Sequence, residues 1–431
     1  MRNSPDPAAI AEAALARLPM ADALFEQIRA ATADTAGVTR PAWSAQDRMA
    51  ADMATAVARD LGLEVRADAA GNLFYTLPGR DRNAPAIMTG SHFDSVPKGG
   101  NYDGLAGIVA GLVGLAALKD TGFEPACDVT VIGMTGEESV WYGIAYVGSR
   151  LATGVLPPAQ LDTLLRDDSG LSLASHMADV GTDLAALRSS GPSVTPANTR
   201  AFLELHIEQG PVLIGEDVAV AIPTTIRGNV RFPYARCLGS YDHSGATPRA
   251  YRSDAALAVV ELLARLEAWW AEQEASGVPD TVFTVGKLFT DRAEHTMTKV
   301  PGRLDFTLNI GGTTQPFLDQ GRDLTYTLAE EIAAARRVTF ELGECVGSSP
   351  TPLDPELRRL LAETAGGLNL PVREFATVGH DASIFARAGI PAAMLLVRNE
   401  NGSHNPHEAM TIADFGEGAK LLAATIATLA G

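Results

Sequence analysis

"APAIMTGSHFDSVPKGGNYDGLAGIVAGLVGLAALKDTGFEPACDVTVIGMTGEE" (residues 84–138) contains two short apolar runs, 84–92 and 128–138, with a longer apolar run, 104–122, between them. The short runs have the length of strands, whereas the long run has the length of a buried helix. Strands without polar alternation are typical of a sheet that helices cover on both faces. The stretch therefore predicts strand, helix and strand of an α/β fold with a mostly parallel sheet.

The chain from residue 213 to residue 345 shows a different order of elements. Strand-like runs and helical periodicity alternate over six segments: 218–240, 254–273, 281–289, 303–311, 317–337 and 338–344. Their order is that of a ferredoxin-like α+β domain. Because 431 residues exceed what one core usually organises, we predict a catalytic domain built from residues 1–212 and 346–431, with residues 213–345 inserted as a smaller domain.

Composition and charge exclude several classes of partner. The formal net charge is −18, so most of the surface would repel a phosphate backbone or an anionic membrane. No apolar run reaches the length of a membrane span. The three cysteines, Cys127, Cys237 and Cys345, are too widely spaced for a disulfide framework or a thiolate zinc site. We therefore expect a cytoplasmic protein that binds neither nucleic acid nor membrane and acts on a small molecule.

Acidic and histidine side chains follow the two short apolar runs. His92 and Asp94 stand two positions apart and point the same way in an extended segment, where a carboxylate can fix the tautomer of a metal-binding imidazole. Asp103 follows among glycines that would let the chain fold back. Glu137 and Glu138 are adjacent carboxylates, which repel each other unless a cation lies between them or one is protonated. One could bind metal while the other acts as a base.

Two further segments offer histidines at predicted strand ends. They are LELHIEQGP (203–211), with His206, and NGSHNPHEAM (401–410), with His404. Each segment alone is also compatible with a polar turn or a structural histidine. Together, four strand ends of one α/β domain match two divalent ions that share a bridging carboxylate. Because no thiolate is among these ligands, zinc is the expected metal, with manganese, cobalt or nickel as possible substitutes.

The motifs of the chain, taken in order, resemble those of a known family. GSHFDSVPKGGNYDG, TGEES, ELHIEQGP, DHSGATP, GHDA and SHNPHEAM are similar to the motif series of the hydantoinase/carbamoylase-type amidases. That group includes N-carbamoyl-L-amino-acid hydrolases, β-ureidopropionases and allantoate amidohydrolases, which are relatives of the dinuclear zinc aminopeptidases. The resemblance runs from about residue 40 to the C-terminus. It implies an aminopeptidase-like catalytic domain and an inserted ferredoxin-like lid domain that also forms a homodimer.

The resemblance implies a set of metal ligands. One divalent ion would be held by His92, Asp103 and His206, and a second by Asp103, Glu138 and His404, so that Asp103 bridges the two.

The resemblance also implies catalytic and substrate-binding residues. Glu137 would be the general base that acts on a water molecule between the metals, and Asp94 would support the first histidine ligand. His243, in the inserted domain, would stabilise the tetrahedral oxyanion, while Gln209 and Asn229 would contact polar groups of the substrate.

The chain departs from the family pattern in EHTMTKVPGRLDFTLNIG (294–311). Thr298 replaces an asparagine that contacts substrate, and Gly311 replaces an arginine that clamps the substrate carboxylate. Because glycine cannot form a planar ion pair with a carboxylate, another arginine would have to take over this role. Arg249 and Arg398 stand at motif positions where they could do so.

Arg398 also has a structural interpretation, as the partner of an acid such as Glu400 or Glu408. In that case the substrate would be a neutral amide or ureide.

The function that follows is a metal-dependent hydrolase of linear C–N bonds in N-carbamoyl amino acids or related ureido and amide substrates. An N-acyl amino acid amidohydrolase or exopeptidase with the same dinuclear site is an alternative. A metal-binding protein without activity is disfavoured, because a structural site would not need Glu137 beside the ligand Glu138.

Overall fold

The computed structural model describes residues 6–431, which form two compact units. The first unit contains the described residues up to Thr224 together with Leu353–Phe375 and His380–Gly431, and the second contains Thr225–Pro352 and Ala376–Gly379. Of the segment predicted as an insertion, residues 213–224 lie in the first unit. Within residues 6–431, no helix combines the length and the apolar character needed to cross a bilayer.

Helices and strands alternate along the described chain. The helices are α1 (Pro7–Ala16), α2 (Leu18–Ala31), α3 (Ala45–Asp60), α4 (Leu105–Asp120), α5 (Ser139–Tyr142), α6 (Val147–Ala152), α7 (Leu173–Asp179), α8 (Leu184–Ser189), α9 (Val212–Glu216), α10 (Ala255–Ala275), α11 (Gln315–Arg336), α12 (Pro355–Gly367), α13 (Ala382–Arg387) and α14 (Ile412–Ala430). The strands are β1 (Glu64–Ala67), β2 (Leu73–Leu77), β3 (Ala86–His92), β4 (Val129–Met134), β5 (Thr199–Ile207), β6 (Val220–Ala221), β7 (Thr225–Ile226), β8 (Gly228–Leu238), β9 (Asp242–His243), β10 (Val282–Thr284), β11 (Leu288–Thr290), β12 (Lys299–Val300), β13 (Arg303–Gly312), β14 (Thr339–Glu341), β15 (Val346–Ser348), β16 (Thr351–Pro352), β17 (Val372–Arg373) and β18 (Ala392–Val397).

The first unit is built around an eight-stranded sheet in the order β1-β2-β4-β3-β5-β18-β6-β17. The central neighbours β4, β3, β5 and β18 are parallel, and β1 and β2 add an antiparallel edge. Helix α4 connects β3 to β4, and every residue from Leu105 to Leu118 is buried, as the apolar run requires. The predicted α/β fold with a mostly parallel sheet is confirmed.

The register of the central strands brings their carboxyl ends together. His92, the last residue of β3, lies opposite Met134, the last residue of β4. Ile207, at the end of β5, lies opposite Val397, at the end of β18. The loops that leave these four strands therefore begin at one edge of the sheet, where sites form in such folds.

The second unit is an antiparallel sheet with two helices packed on it. The sheet runs β10-β13-β8-β14, with β11 also paired to β13 and β15 to β8. Helices α10 and α11 pack against each other and against β8 and β13. Phe232 and Ile310, which point inward from these strands, form the core with Leu262 and Leu328. The order of the main elements agrees with the predicted ferredoxin-like domain.

Candidate active site

Buried side chains at the ends of β3 and β5 face the carboxylate of Asp103. Asp103 lies in the loop between β3 and α4, and its Oδ1 is 3.1 Å from His206 Nε2 and 3.5 Å from His92 Nε2. Each of the three residues offers one ligand atom, and these atoms lie within 4.8 Å of one another. They form a first group that could hold a metal ion.

The second oxygen of Asp103 faces another group. Asp103 Oδ2 is 3.3 Å from His404 Nε2, which is 3.4 Å from Glu138 Oε1. Asp103, Glu138 and His404 again place one ligand atom each within 4.8 Å of one another. Asp103 therefore belongs to both groups and faces each with a different carboxylate oxygen.

Hydrogen bonds fix the tautomers of the two buried histidines. His92 Nδ1 lies 2.9 Å from the backbone carbonyl oxygen of Asp94, and His206 Nδ1 lies 3.0 Å from that of Ile207. A carbonyl oxygen only accepts, so each Nδ1 carries a proton, and Nε2 of a neutral ring carries a lone pair. Both Nε2 atoms lie beside Asp103 Oδ1, and His206 Nε2 also accepts a hydrogen bond from the Gly104 N–H at 3.1 Å. This arrangement is stable when a cation, either a metal ion or the proton of an imidazolium, lies between them.

The second group also brings buried acidic side chains close together. Glu138 Oε1 is buried and accepts no hydrogen bond within residues 6–431. Burial and the nearby charge of Asp103 raise the pKa of Glu138 to about 7. Contact with Asp103 raises the pKa of His404 to about 9. Because buried carboxylates are stable only when paired or bound to metal, and because these ligands are carboxylate and imidazole groups, the residues fit divalent ions in both groups.

Asp94 holds the loop that carries the two glutamates. Its buried carboxylate accepts hydrogen bonds from the backbone N–H groups of Gly136 (2.8 Å), Glu137 (3.1 Å) and Glu138 (3.1 Å). The carboxylate is farther, 3.5 Å, from His92 Nδ1. The support of His92 that the sequence suggested therefore comes from the backbone carbonyl of Asp94, whereas the side chain positions the loop after β4.

Glu137 lies beside the first group without belonging to it. Its Oε2 is 4.0 Å from His92 Nε2, and its side chain is mostly buried. Burial raises the pKa of Glu137 well above its usual range. The backbone carbonyl of Glu137 accepts a hydrogen bond from the N–H of Tyr146, which fixes the loop from the other side. This is a suitable position for a general base.

Gly104 provides the space for the ring of His92. Its φ of +69° is in the left-handed region, and a Cβ at this position would lie 2.4–2.5 Å from three atoms of the imidazole. The glycine therefore allows the chain to turn between Asp103 and α4 while the ring lies against the backbone.

Arg40 connects both ends of the loop that carries Asp94 and Asp103. Its fully buried guanidinium donates through Nε to the carbonyl of Phe93 (2.6 Å) and through NH1 to Asn101 Oδ1 (3.1 Å). No carboxylate within residues 6–431 forms an ion pair with it, but the charges of Asp47, Glu408, Asp94 and Asp103 stabilise the guanidinium from a longer distance. This role could not be predicted, because an isolated arginine in a loop forms no sequence pattern.

Glu408 and Ser403 connect the His404 loop to Asp103. Glu408 Oε1 accepts hydrogen bonds from the N–H groups of Tyr102 (2.9 Å) and Asp103 (3.3 Å). The Ser403 hydroxyl lies 2.6 Å from both Asp103 Oδ2 and Glu408 Oε2. Both residues stand in the motif SHNPHEAM, which is the signal that could have identified them.

Gln209, predicted to contact substrate, reaches the second group. Its Nε2 donates to Asp103 Oδ2 at 2.8 Å, and its backbone N–H donates to Asn399 Oδ1 at 2.9 Å.

The other predicted residues of the inserted domain lie in the second unit. His243 Nδ1 accepts hydrogen bonds from the N–H groups of Gly245 (3.1 Å) and Ala246 (3.2 Å), so the proton of the neutral ring is on Nε2. Arg249 and Thr298 are both exposed.

Asn229, also in the second unit, lies on β8, and its Nδ2 donates to Ser348 Oγ at 3.2 Å.

Arg398 has two acidic partners. Its guanidinium lies 2.7 Å from Asp414 Oδ1 and 2.6 Å from Asp217 Oδ1. These acids are not Glu400 or Glu408, the partners that the sequence suggested. The two ion pairs nevertheless support the structural interpretation of Arg398. Both ends of this guanidinium are therefore occupied.

Comparison with known proteins identifies the family. Residues 88–428 match Peptidase family M20/M25/M40. N-carbamoyl-L-amino acid amidohydrolase from Geobacillus stearothermophilus is 32% identical over 91% of this chain and 94% of its own length. Allantoate amidohydrolase from Escherichia coli K12 is 31% identical over 86% and 87%. The crystal structure of a hydantoinase/carbamoylase family amidase from Burkholderia multivorans has a TM-score of 0.87 at 26% identity and covers 96% of this chain and 98% of that one. These matches confirm the resemblance seen in the motifs and the aminopeptidase-like fold, and the chain is a member of Peptidase family M20/M25/M40 and, within it, of the hydantoinase/carbamoylase-type amidases.

Proposed function

We propose that this amidohydrolase cleaves the linear C–N bond of an N-carbamoyl amino acid or a related ureido or amide substrate, with the help of two divalent metal ions. The observation that carries the proposal is the position of Asp103 between two ligand groups, with Glu137 beside them. The relatives support the substrate class, since one is named for N-carbamoyl-L-amino acids and another for allantoate.

The metals would be held by His92, Asp103 and His206 in one group and by Asp103, Glu138 and His404 in the other. Zinc suits these ligands best, and manganese, cobalt or nickel could replace it. Bound ions supply a Lewis acid that polarises the scissile carbonyl and lowers the pKa of water.

The side chains of the chain account for the proton transfers. Glu137 takes a proton from the attacking water as the water oxygen bonds to the carbonyl carbon, and it delivers this proton to the nitrogen as the C–N bond breaks. His243 donates its Nε2–H to the carbonyl oxygen, on which negative charge develops. Gln209 and Asn229 offer amide groups to polar parts of the substrate. A ureido substrate would then yield an amine, ammonia and carbon dioxide.

A screen of N-carbamoyl, N-formyl and N-acyl amino acids with the purified protein tests this proposal. We expect ammonia release from N-carbamoyl compounds, its loss after treatment with a chelator, and its return with Zn²⁺, Mn²⁺ or Co²⁺. Activity that is indifferent to chelation in a metal-free protein would refute it.

The match to a peptidase family supports a second candidate, an N-acyl amino acid amidohydrolase or exopeptidase that uses the same two metal groups. Release of a carboxylate from N-acyl substrates or of an amino acid from dipeptides, without ammonia release from N-carbamoyl compounds, would favour this alternative.

We also propose that the second unit forms a homodimer. Leu257 and Val260 of α10 are 50% and 53% exposed, and a spacing of three residues places them on the same side of the helix. Sedimentation at micromolar concentration should show a dimer, and replacing both residues with glutamate should give a monomer.

A further inference from the structure

The segment His380–Ala382, in the motif GHDA, packs against the end of β5 within the first unit. The rings of His380 and His206 lie 4.3 Å apart between their centroids. The backbone N–H of Ala382 donates to Glu204 Oε2 at 2.8 Å. Glu204 and His206 stand two positions apart on β5. These contacts fix the segment against the strand end that supplies a ligand of the first metal group.

Asp381, which stands between the two contact residues, is a buried carboxylate with only one oxygen engaged. The residue is 1% exposed, and its Oδ1 accepts a hydrogen bond from the Ser149 hydroxyl at 2.5 Å. Its Oδ2 is buried and accepts no hydrogen bond within the described residues 6–431. The bond to Ser149 needs one acceptor oxygen, which an asparagine would also provide. The charge of Asp381 is therefore not required for this contact, although burying it costs free energy.

Two other buried carboxylates near the first group are held by more donors. Glu204 accepts one hydrogen bond at each oxygen, from the Ser91 hydroxyl at 2.7 Å and from the Ala382 N–H. Asp94 accepts three bonds from backbone N–H groups. Both carboxylates are thus explained by the chain segments that they connect. Among these three carboxylates, Asp381 is the one whose second oxygen has no such partner.

The charge of Asp381 acts on both histidines of the first group. Burial raises the pKa of Asp381 to about 6, and among the charged groups around it His92 and His206 lower this pKa, whereas Asp94 raises it. The carboxylate is therefore ionised at pH 8. A cation held by the two histidines would be attracted to this charge, and the attraction is stronger in a buried site than in water.

We propose that the buried negative charge of Asp381, held in place by Ser149, strengthens the binding of a divalent ion by His92, Asp103 and His206. This inference rests on the proposed function, which places a metal ion in this group. Asp381 is then a supporting residue that touches neither the ion nor the substrate. It raises the affinity for the ion because it compensates part of the ion's charge from behind the ligands.

Titration of the full-length protein with Co²⁺ at pH 8, followed by visible absorption, tests the assignment. Asp381→Asn keeps an acceptor for Ser149 but removes the charge, and it should weaken Co²⁺ binding about 10- to 100-fold, the usual effect of losing a group that supports metal ligands. The free energy of unfolding of the metal-free protein, measured with urea, should not decrease, because the substitution removes a buried charge. A residue with a purely structural role would show reduced stability and unchanged affinity instead.

Asp47→Asn is the matched control. Asp47 is also buried in the first unit, and its Oδ1 accepts no hydrogen bond in the described part of the chain. The charged groups that act on it are Asp94 and Arg40 rather than the histidines of the first group. Its replacement should therefore change the Co²⁺ affinity by less than about twofold, since the attraction between charges falls with distance.

Two ligand variants locate the effect. Glu138→Ala removes a ligand of the second group only, so adding Asp381→Asn to it should still weaken the remaining Co²⁺ site by a similar factor. His206→Ala removes a ligand of the first group, and there Asp381→Asn should change the remaining affinity little. The two double variants thus measure the coupling of Asp381 to each group.

Equal Co²⁺ affinity of the wild type and Asp381→Asn would overturn the role of Asp381 and leave the proposed function intact. An effect that persists in His206→Ala, or an equal loss in Asp47→Asn, would overturn it as well. A wild-type protein that binds none of Co²⁺, Zn²⁺ and Mn²⁺ would refute the proposed function and this inference together.

Discussion

Replacing Asp94 with asparagine should loosen the loop that carries Glu137 and Glu138. The Asp94 carboxylate accepts three backbone hydrogen bonds, two at Oδ1 and one at Oδ2. The amide of asparagine has a single oxygen. If this oxygen stays at Oδ1, the NH₂ group faces the N–H of Glu138 and two donors meet. If the amide is flipped, two backbone N–H groups lose their acceptor.

The magnitude follows from these three bonds. A buried N–H without an acceptor costs about 1–3 kcal/mol, and loss of the negative charge weakens each remaining bond by about 1 kcal/mol. Burying a neutral amide costs less free energy than burying a carboxylate, and this difference offsets part of the loss. We expect Asp94→Asn to lower the free energy of unfolding by about 2–4 kcal/mol. Metal affinity should also fall, because Glu138 would leave its position beside His404.

Urea unfolding followed by circular dichroism measures the stability, and titration with Co²⁺ followed by visible absorption measures the metal affinity. Asp254→Asn is a matched control. Asp254 is also buried, but it accepts a single helix-capping hydrogen bond, from the N–H of Leu257, and asparagine caps helices equally well. If the two units unfold in separate steps, Asp94→Asn should shift the transition of the first unit, whereas Asp254→Asn should shift neither transition.

A loss below about 1 kcal/mol in Asp94→Asn, with unchanged Co²⁺ affinity, would contradict the energies that we assign to these bonds. Reduced stability with unchanged metal affinity would show that the loop keeps Glu138 in place by other contacts.

Four further predictions concern neighbouring residues. Glu137→Gln should retain metal by elemental analysis but lower kcat by about 10²- to 10⁴-fold, the effect of losing a general base; full activity would exclude this role. Gly104→Ala should displace the His92 ring, because its Cβ would lie 2.4 Å from that ring, and the metal content should fall while circular dichroism still shows a folded protein. Arg40→Met should weaken Co²⁺ binding more than Arg40→Lys does, since the lysine keeps the buried charge but loses the link between the loop ends; equal affinities would refute this. Burial and the charge of Asp94 raise the pKa of Asp47 to about 7 from its ordinary value of 3.8. The folded protein thus retains a proton that the unfolded chain releases, and stability should fall as pH rises through this interval; Asp47→Asn should flatten that dependence in urea unfolding.

Local sequence patterns were sufficient for the fold and for the types of ligand. The apolar run 104–122 has no polar side, so it could only be a buried helix between two buried strands. Once these strands are parallel, their ends lie at one edge, and the residues that follow them must be neighbours.

The contacts that hold the ligands could not be predicted in the same way. Arg40 binds Phe93 and Asn101, which are 53 and 61 residues away, and nothing near Arg40 indicates these partners. The carboxylate of Asp94 accepts a hydrogen bond from the N–H of Gly136, 42 residues further along the chain. The sequence had suggested His92, two positions away, as its partner. Such contacts depend on the register between strands and on the loop path, which the residues themselves do not specify.

Two residues whose side chains meet at Asp103 have a strained backbone conformation. Gln209 and His404 have φ values of 65° and 58°, a left-handed conformation that costs about 1–2 kcal/mol for a residue with a side chain. Both side chains reach the same atom, Asp103 Oδ2, at 2.8 Å and 3.3 Å. In the usual extended or helical conformation, each side chain would leave its loop in another direction. The strained backbone at these two residues therefore allows both side chains to reach Asp103. Hydrogen bonds such as that from the Gln209 N–H to Asn399 Oδ1 offset the strain.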